Sequence, residues 1–463
     1  MKPRFVLIGL AMALFNSLLA CSIAVGEGML VSDDGPYEFS TMPALPPSAT
    51  VPLTDSDPSL DMTFPLRAGY DDGFVISGPR QQTIGGSEDP FRLRINGFGQ
   101  LRDTVFNSGT DSSNDLNQIQ LKRGRLTFSG NAFDSDIFYL VQLDGRSNAA
   151  DQLRILDYYF TYDLAHAQWG CDPGTLGFRS GLYKIPFTYA RGISSREFEF
   201  ADRSMASIFF DVNRSLAWGL YGSTNSFSRP VDWEVAIFNG LVTGGAETGS
   251  SGNLDNNNAY SGRLQWDAMG EWGSNDMADL EGHEDLALRI GGAGVYTTID
   301  RKGLTEFNAI RVVDSGSSLA LLLPGGVDNY SVTSFVANAS IKWRGWSSTL
   351  EYYWRNIDDF QGATVPTLSD DGFWLQAGKF VIPEKLQLMA RWSRVRGTSG
   401  MLGVQNESAE EIAAGAAWHF RDQHVKLVVD ATHVNGAPIS SSALDIFPGD
   451  DGWLFRTQFQ FGF

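Results

Sequence analysis

Seven cations carry what chemistry this chain offers: Arg94, Arg123, Arg125, Arg179, Lys184, Arg203 and Arg214. A guanidinium presents a planar fork that donates two hydrogen bonds to an oxyanion and stays charged at any working pH. Such groups attract and orient anions; they do not break bonds. Nothing else in the chain assembles a reaction centre. There is no Gly-x-Ser-x-Gly elbow and no Gly-rich phosphate loop closed by Lys. The five histidines, His166, His283, His419, His424 and His433, lack the paired spacing of a metal site. Asp267 to Asp285 holds seven acids and no Lys or Arg. Clustered carboxylates can take Ca²⁺, but this irregular spacing reads first as a solvated acidic loop. No catalytic residue, metal ligand or cofactor is assigned.

The elements that must position those cations are strands. The last twelve residues show it best. Trp453, Phe455, Thr457, Phe459, Phe461 and Phe463 share one face, and Leu454, Arg456, Gln458, Gln460 and Gly462 share the other. A period of two with unlike faces is a β-strand. A chain that stops on a bare aromatic strand risks edge pairing in water, whereas a closed membrane barrel wants an aromatic outer face. The same alternation recurs over sixteen segments: 91–102, 118–130, 135–145, 153–163, 175–185, 214–224, 230–239, 258–268, 284–298, 331–342, 344–355, 371–380, 384–395, 408–419, 423–433 and 452–463. Their length suits a tilted strand crossing a bilayer.

Connections alternate too. Those after strands 2, 6, 10, 12 and 14 are tight, while most after odd strands are long and rich in Gly, Ser, Asn and Asp. Tight turns at one end and long loops at the other is the membrane-barrel arrangement. The gaps after strands 3, 4 and 8 fit less well and leave room for a shift of one hairpin. A soluble propeller would repeat every ~40–50 residues, and no such repeat exists. The expected fold is therefore an all-β, transmembrane antiparallel barrel of about sixteen strands over residues 91–463. Trp346, Tyr352, Trp354, Trp374, Trp392 and Trp453 are placed for aromatic girdles.

Two regions precede the barrel. Lys2 and Arg4 followed by an apolar run to Phe15 form an export leader, 1–24, too short to span a bilayer. Ser22-Ile-Ala24 offers cleavage after Ala24; Leu18-Leu-Ala-Cys21 offers the alternative of a lipidated Cys21. Residues 25–90 then carry eleven acids, two Arg and nine of the eighteen prolines, a composition that predicts a mostly disordered or extended periplasmic segment. The whole chain has net charge −19, which argues against nucleic acid as a partner.

Residues 181–219 point further. Gly181, Lys184, Pro186 and Phe187 close a strand; Asp202-Arg203-Ser204 follows in a loop; Arg214 and Gly219 open the next strand. Lys122-Arg-Gly-Arg125 lies in an earlier Arg-rich strand. In their order these motifs resemble the phosphate-selective porin O/P family. The resemblance covers the layout of 91–463 and is motif-specific over about 118–220. It implies a sixteen-stranded outer-membrane barrel, typically a homotrimer, whose long third loop, 186–213 here, folds into the lumen. By strand parity Arg94, Arg123, Arg125 and Arg179 face inward, and Lys184, Arg203 and Arg214 bracket or occupy that loop. The function expected is passive diffusion of small hydrophilic solutes or ions, among them phosphate or other anions, with outer-membrane lipid around the barrel. Charge is uneven. Residues 91–220 carry fourteen cations and fourteen acids, whereas 221–463 carry seventeen and twenty-nine. An outer-membrane barrel enzyme of lipase or protease type, and a plugged structural or adhesion barrel, stay open as alternatives.

Overall fold

The computed structural model describes residues 66–463, apart from 79–80, 84–85, 89–90, 110, 146–152, 227, 242–253, 314–317, 399–401, 403–407, 437–444 and 447–448. The leader 1–24 and most of the Pro-rich segment lie outside the described residues.

Sixteen antiparallel strands form one sheet that closes on itself. They are β1 (Arg92–Ser108), β2 (Leu116–Asn131), β3 (Ile137–Gly145), β4 (Arg154–Asp163), β5 (Gly177–Lys184), β6 (Arg214–Ser226), β7 (Arg229–Asn239) and β8 (Asn258–Met269). The second half continues with β9 (Ala287–Asp300), β10 (Asn329–Trp343), β11 (Trp346–Gln361), β12 (Leu368–Ile382), β13 (Leu386–Gly397), β14 (Ser408–Arg421), β15 (Val425–Asn435) and β16 (Asp451–Gly462). Each coincides with an expected segment to within a few residues. The barrel closes where β16 pairs with β1, from Gly452 opposite Ser108 to Gly462 opposite Phe98. Phe463 completes the seam by exchanging backbone hydrogen bonds with Gly97 at 2.9 and 3.0 Å.

Alternation makes this barrel because it turns the usual protein inside out. On β16, Trp453, Phe455, Phe459 and Phe461 are exposed while Leu454, Arg456, Gln458 and Gln460 are buried. Around the outside stand Leu101, Phe160, Trp218, Leu264, Phe335, Trp354, Leu375, Leu388 and Ile412, all exposed. Water would not tolerate so continuous an apolar band; hydrocarbon favours it, and closure satisfies every backbone polar group there. Trp374 departs from the expected girdle. It pairs with the inward Glu351 and is buried inside.

The tight turns sit at one end. Trp343 and Trp346 are joined by Arg344 and Gly345, both at positive φ (49° and 76°), the two-residue geometry that matches strand twist. No hairpin shift is needed. The connection after β4 carries a short helix, α1 (Leu164–Trp169). That after β8 is long because it bends inward, burying Trp272, Met277, Ala278 and Asp279. The described part of the 25–90 segment includes extended strands. Arg67–Tyr70 and Phe74–Ser77 pair as a hairpin, and the second of these strands adds to Arg92–Ile95 of β1.

From the loop end two long connections enter the barrel. Residues 185–213 carry α2 (Tyr189–Gly192) and α3 (Met205–Phe210). Residues 301–328 carry α4 (Leu304–Phe307) and α5 (Leu319–Leu322).

Candidate functional site

The site is built around the inward loop 185–213. Its first anchor is the end of β5. Gly181 sits at φ 132°, and a Cβ there would lie 2.2 Å from the carbonyl oxygen of Tyr158, so only glycine fits. Lys184 Nζ then donates to the carbonyls of Gly192 and Ile193, each at 3.2 Å. Thr188 caps α2 by accepting from Arg191 N, and its hydroxyl donates to Asp211 at 3.0 Å. Arg191 also pairs with Asp211, so the two limbs of the loop are tied together near their base.

Each member of the Asp202-Arg203-Ser204 step has a separate task. Asp202 receives Arg102 at 3.0 Å and Arg123 at 2.8 Å. Burial opposes its charge, yet Arg123 and Arg102 hold its carboxyl well below the usual carboxylate range. Arg203 donates to the carbonyls of Ala190 and Ile193 and lies over the Phe198 ring. Ser204 caps α3 by accepting from Ser207 N.

The barrel wall completes the socket with carboxylates that no motif announces. Glu351 accepts from Tyr189 N at 2.6 Å, Tyr353 Oη at 2.8 Å and Trp374 Nε1 at 3.0 Å. Glu411 accepts from Met205 N at 2.7 Å while also bonding Arg391. Asp430 accepts from Ala201 N at 3.1 Å and from Arg456 at 2.7 Å. Carboxylates at helix starts satisfy otherwise orphaned N–H groups. Cations and amides of the wall take the loop's carbonyls: Arg102 that of Ala201, Arg391 that of Asp202, Lys426 that of Phe198 and Gln100 that of Ser195. In the opposite sense, Glu199 of the loop is held by Ser347, Gln376 and Gln387. Its carboxyl is pushed up by burial, with those three donors opposing. A cavity of about 10 Å³ is left between this part of the loop and the wall, room for about one water.

The seven cations expected from sequence divide into three groups. Arg123, Arg125, Arg214, Lys184 and Arg203 gather around the loop. Arg125 bonds Asp144 at 3.2 Å and Ser195 Oγ at 3.1 Å, and Arg214 forks onto Asp157 at 2.8 and 2.9 Å. Arg94 is brought instead to the turn end, where it meets Asp71 of the hairpin at 2.6 Å. Arg179 stands on the opposite wall, ringed by Tyr159, Tyr183 and Tyr221 and paired with Glu234 at 2.8 Å. A β-bulge between Gln100 and Leu101 adds a further buried cation, Lys122, which pairs with Asp445. Strict alternation would have pointed Lys122 outward.

The loop grips β1, β2 and β11–β16, whose inward side chains are buried beneath it. The inward faces of β3–β9 keep partial exposure at Gln142, Tyr159, Arg179, Tyr221, Glu234, Arg263, Gln265 and Ala293. This strip is the part of the lumen left to solvent. Arg263 belongs to it and was missed because no motif surrounds it; its signal was only its parity with Ser261 and Gln265 on β8. It donates to Gln265 and has no carboxylate within ion-pair distance among the described residues. Its Nη1 would lie 3.2 Å from a Cβ placed on Gly192.

The closed sixteen-strand barrel has counterparts among solved structures. The anion-selective porin from Comamonas acidovorans superposes with a TM-score of 0.53 at 10% identity, over 81% of this chain and 100% of the other. A loop-deletion mutant of OmpT, an outer membrane protein of Vibrio cholerae, gives 0.50 at 11% identity, over 81% and 100%. The barrel is similar to those of outer-membrane porins. At this identity the likeness establishes the fold alone. No protein-family model matches the chain, and no curated protein does.

Proposed function

We propose that the protein is an outer-membrane porin through which small hydrophilic solutes diffuse, with phosphate or other oxyanions favoured. The observation that carries this reading is a set of three cations, Lys184, Arg203 and Arg263, that converge on residues 190–193 without a carboxylate partner among the described residues. The other cations expected to select are matched by acids: Arg123, Arg125 and Arg214 around the loop, Arg94 at the turn end and Arg179 on the opposite wall. Burial, with Arg191 close by, lowers the Arg203 guanidinium well below its usual value. A cation in that state gains from an arriving anion, which is how a charged narrowing selects. The resemblance of the 181–219 motifs to the phosphate-selective porin O/P family supports the same choice. Of the acids in the second half, Glu351, Glu411 and Asp430 beside the loop are spent on its backbone and on buried donors. The reading carries with it a homotrimer in the Gram-negative outer membrane, testable by mass in detergent.

The deciding measurement is the reversal potential of the purified protein across a planar bilayer under a KCl gradient. Lys184→Gln, Arg203→Gln and Arg263→Gln are each expected to lower the anion-to-cation permeability ratio and to weaken block by phosphate. An unchanged ratio in all three removes the anion claim. One observation favours a second reading, a plugged structural barrel: at the loop end Phe106, Phe238, Val332, Ile357 and Leu454 pack inside with Phe307, Ile310 and Leu319 of 301–328. Absence of any single-channel conductance would select it.

A further inference from the structure

We infer that residues 66–78 form a releasable latch that holds the inward loop from the turn end, an inference whose conductance readout rests on the porin reading. The hairpin has an ordinary reason to exist. β16 pairs with β1 as far as Phe463 opposite Gly97, and Phe74–Ser77 pairs with the next stretch of β1, Arg92–Ile95. Exposed edges invite wrong pairing. Edge cover, however, needs only backbone.

The tip of the hairpin does something else. Gly73 is pressed onto β1 so closely that a Cβ would lie 2.7 Å from Asn96 Cβ and from the Ile95 carbonyl oxygen. Asn96 Nδ2 donates to the Asp72 carbonyl at 3.2 Å. This fixes the Asp72 carboxylate, which takes both Arg196 Nη1 and Nη2 at 3.1 Å and lies 2.6 Å from His424 Nε2. Arg196 is part of the inward loop, and its own carbonyl accepts from Gln460 of β16. The hairpin, the loop and the start of β15 thus meet on one carboxylate.

Among the loop's grips this one differs in kind. Asp202, Glu411 and Asp430 are buried, whereas Asp72 is about one-third exposed and its hairpin leaves Phe74 and Ile76 largely uncovered. Partly exposed ion pairs are weak singly, and segments with little burial open before the rest of a fold. The contact suits an element that lets go while the barrel stays intact. It is also the grip that comes from outside the barrel, continuous with the acidic, Pro-rich segment upstream. A pull on that segment, or a partner bound to it, would act on the loop through Asp72.

The test uses the full chain with Asp72→Arg, Arg196→Asp, the two combined, and Asp71→Asn, which touches the same hairpin but not the loop. Two quantities are read: single-channel conductance, and hydrogen exchange of residues 195–200. Each single reversal is expected to raise conductance and open-channel noise and to speed exchange. The combined swap should restore both, and Asp71→Asn should change neither. Singles that match the wild type in both readouts overturn the latch, as does Asp71→Asn behaving like Asp72→Arg, which would leave edge cover as the hairpin's whole role. A wild type that never conducts defeats the porin reading instead, and exchange then decides the latch.

Discussion

The two loops that enter the barrel are held by opposite physics. Residues 185–213 lie in a polar socket: wall carboxylates take their N–H groups, and wall cations and amides take their carbonyls. Residues 301–328 lie on an apolar floor of Val295, Ile299, Val332, Ile357 and Val395, which they cover with Phe307, Ile310, Val312, Val313 and Val327. Near its middle the wall is polar, so a loop there must match donors to acceptors one by one, and the match specifies a single position. At the loop end the inward side chains are greasy, and any apolar cover would be accepted. The first loop should therefore be rigid and sensitive to single substitutions. The second should be tolerant of them.

The largest expected break in that contrast is Glu351→Ala. It leaves Tyr189 N and Tyr353 Oη without their carboxylate acceptor, each such buried orphan costing about 1–3 kcal/mol, while Trp374 Nε1 keeps Tyr353 Oη at 2.9 Å. The unfolding midpoint in detergent should fall and conductance noise rise, while an apolar exchange such as Ile310→Val in the other loop should do little to either. If both variants behave alike, the contrast between polar socket and apolar cover is wrong.

Next in size is a pH effect in 301–328. The Glu306 carboxylate is buried and accepts from Leu241 N at 2.7 Å, and its Oε2 has no partner among the described residues. Burial pushes its carboxyl up to about 7, and the like charge of Asp255 adds to that. Tyr330 packs beside it. The sign follows from an acid raised on docking. Below its ordinary value both states are protonated and docking is unpenalised. As pH rises towards 7 the undocked loop ionises first, so stability is lost progressively, reaching about 3 kcal/mol above that range. Limited proteolysis should cut 301–328 faster at pH 8 than at pH 5, and Glu306→Gln should flatten the difference. The polar loop carries shifts of both signs, Asp202 down and Glu199 up, so the Glu306→Gln variant is what isolates the effect in 301–328.

The smallest effect sharpens the comparison within the polar loop. Ser204→Ala removes the cap of α3, worth about 1 kcal/mol. It should speed hydrogen exchange over 205–210 without altering the permeability ratio, because Ser204 shapes the loop and meets no solute.

Much of this was legible before any coordinates. All sixteen strands, the end that carries tight turns, and the inward course of 185–213 follow from alternation, loop lengths and the 181–219 motifs. Three things were not. The bulge that turns Lys122 inward leaves no composition signal. The hairpin at 66–78 hides in a stretch whose prolines and acids read as disorder. The apolar floor under 301–328 was invisible because Val and Phe on an inward face look the same in sequence as on an outward one.

What the sequence by itself determined is which side of the wall each strand residue occupies, because successive Cβ atoms point to opposite faces and one face must be apolar to sit in lipid. Which cations remain free to meet a solute was decided only in three dimensions. Ion pairing acts over about 3 Å, and Asp202 reaches Arg123, Asp157 reaches Arg214 and Glu234 reaches Arg179 from strands and loops 55 or more residues away.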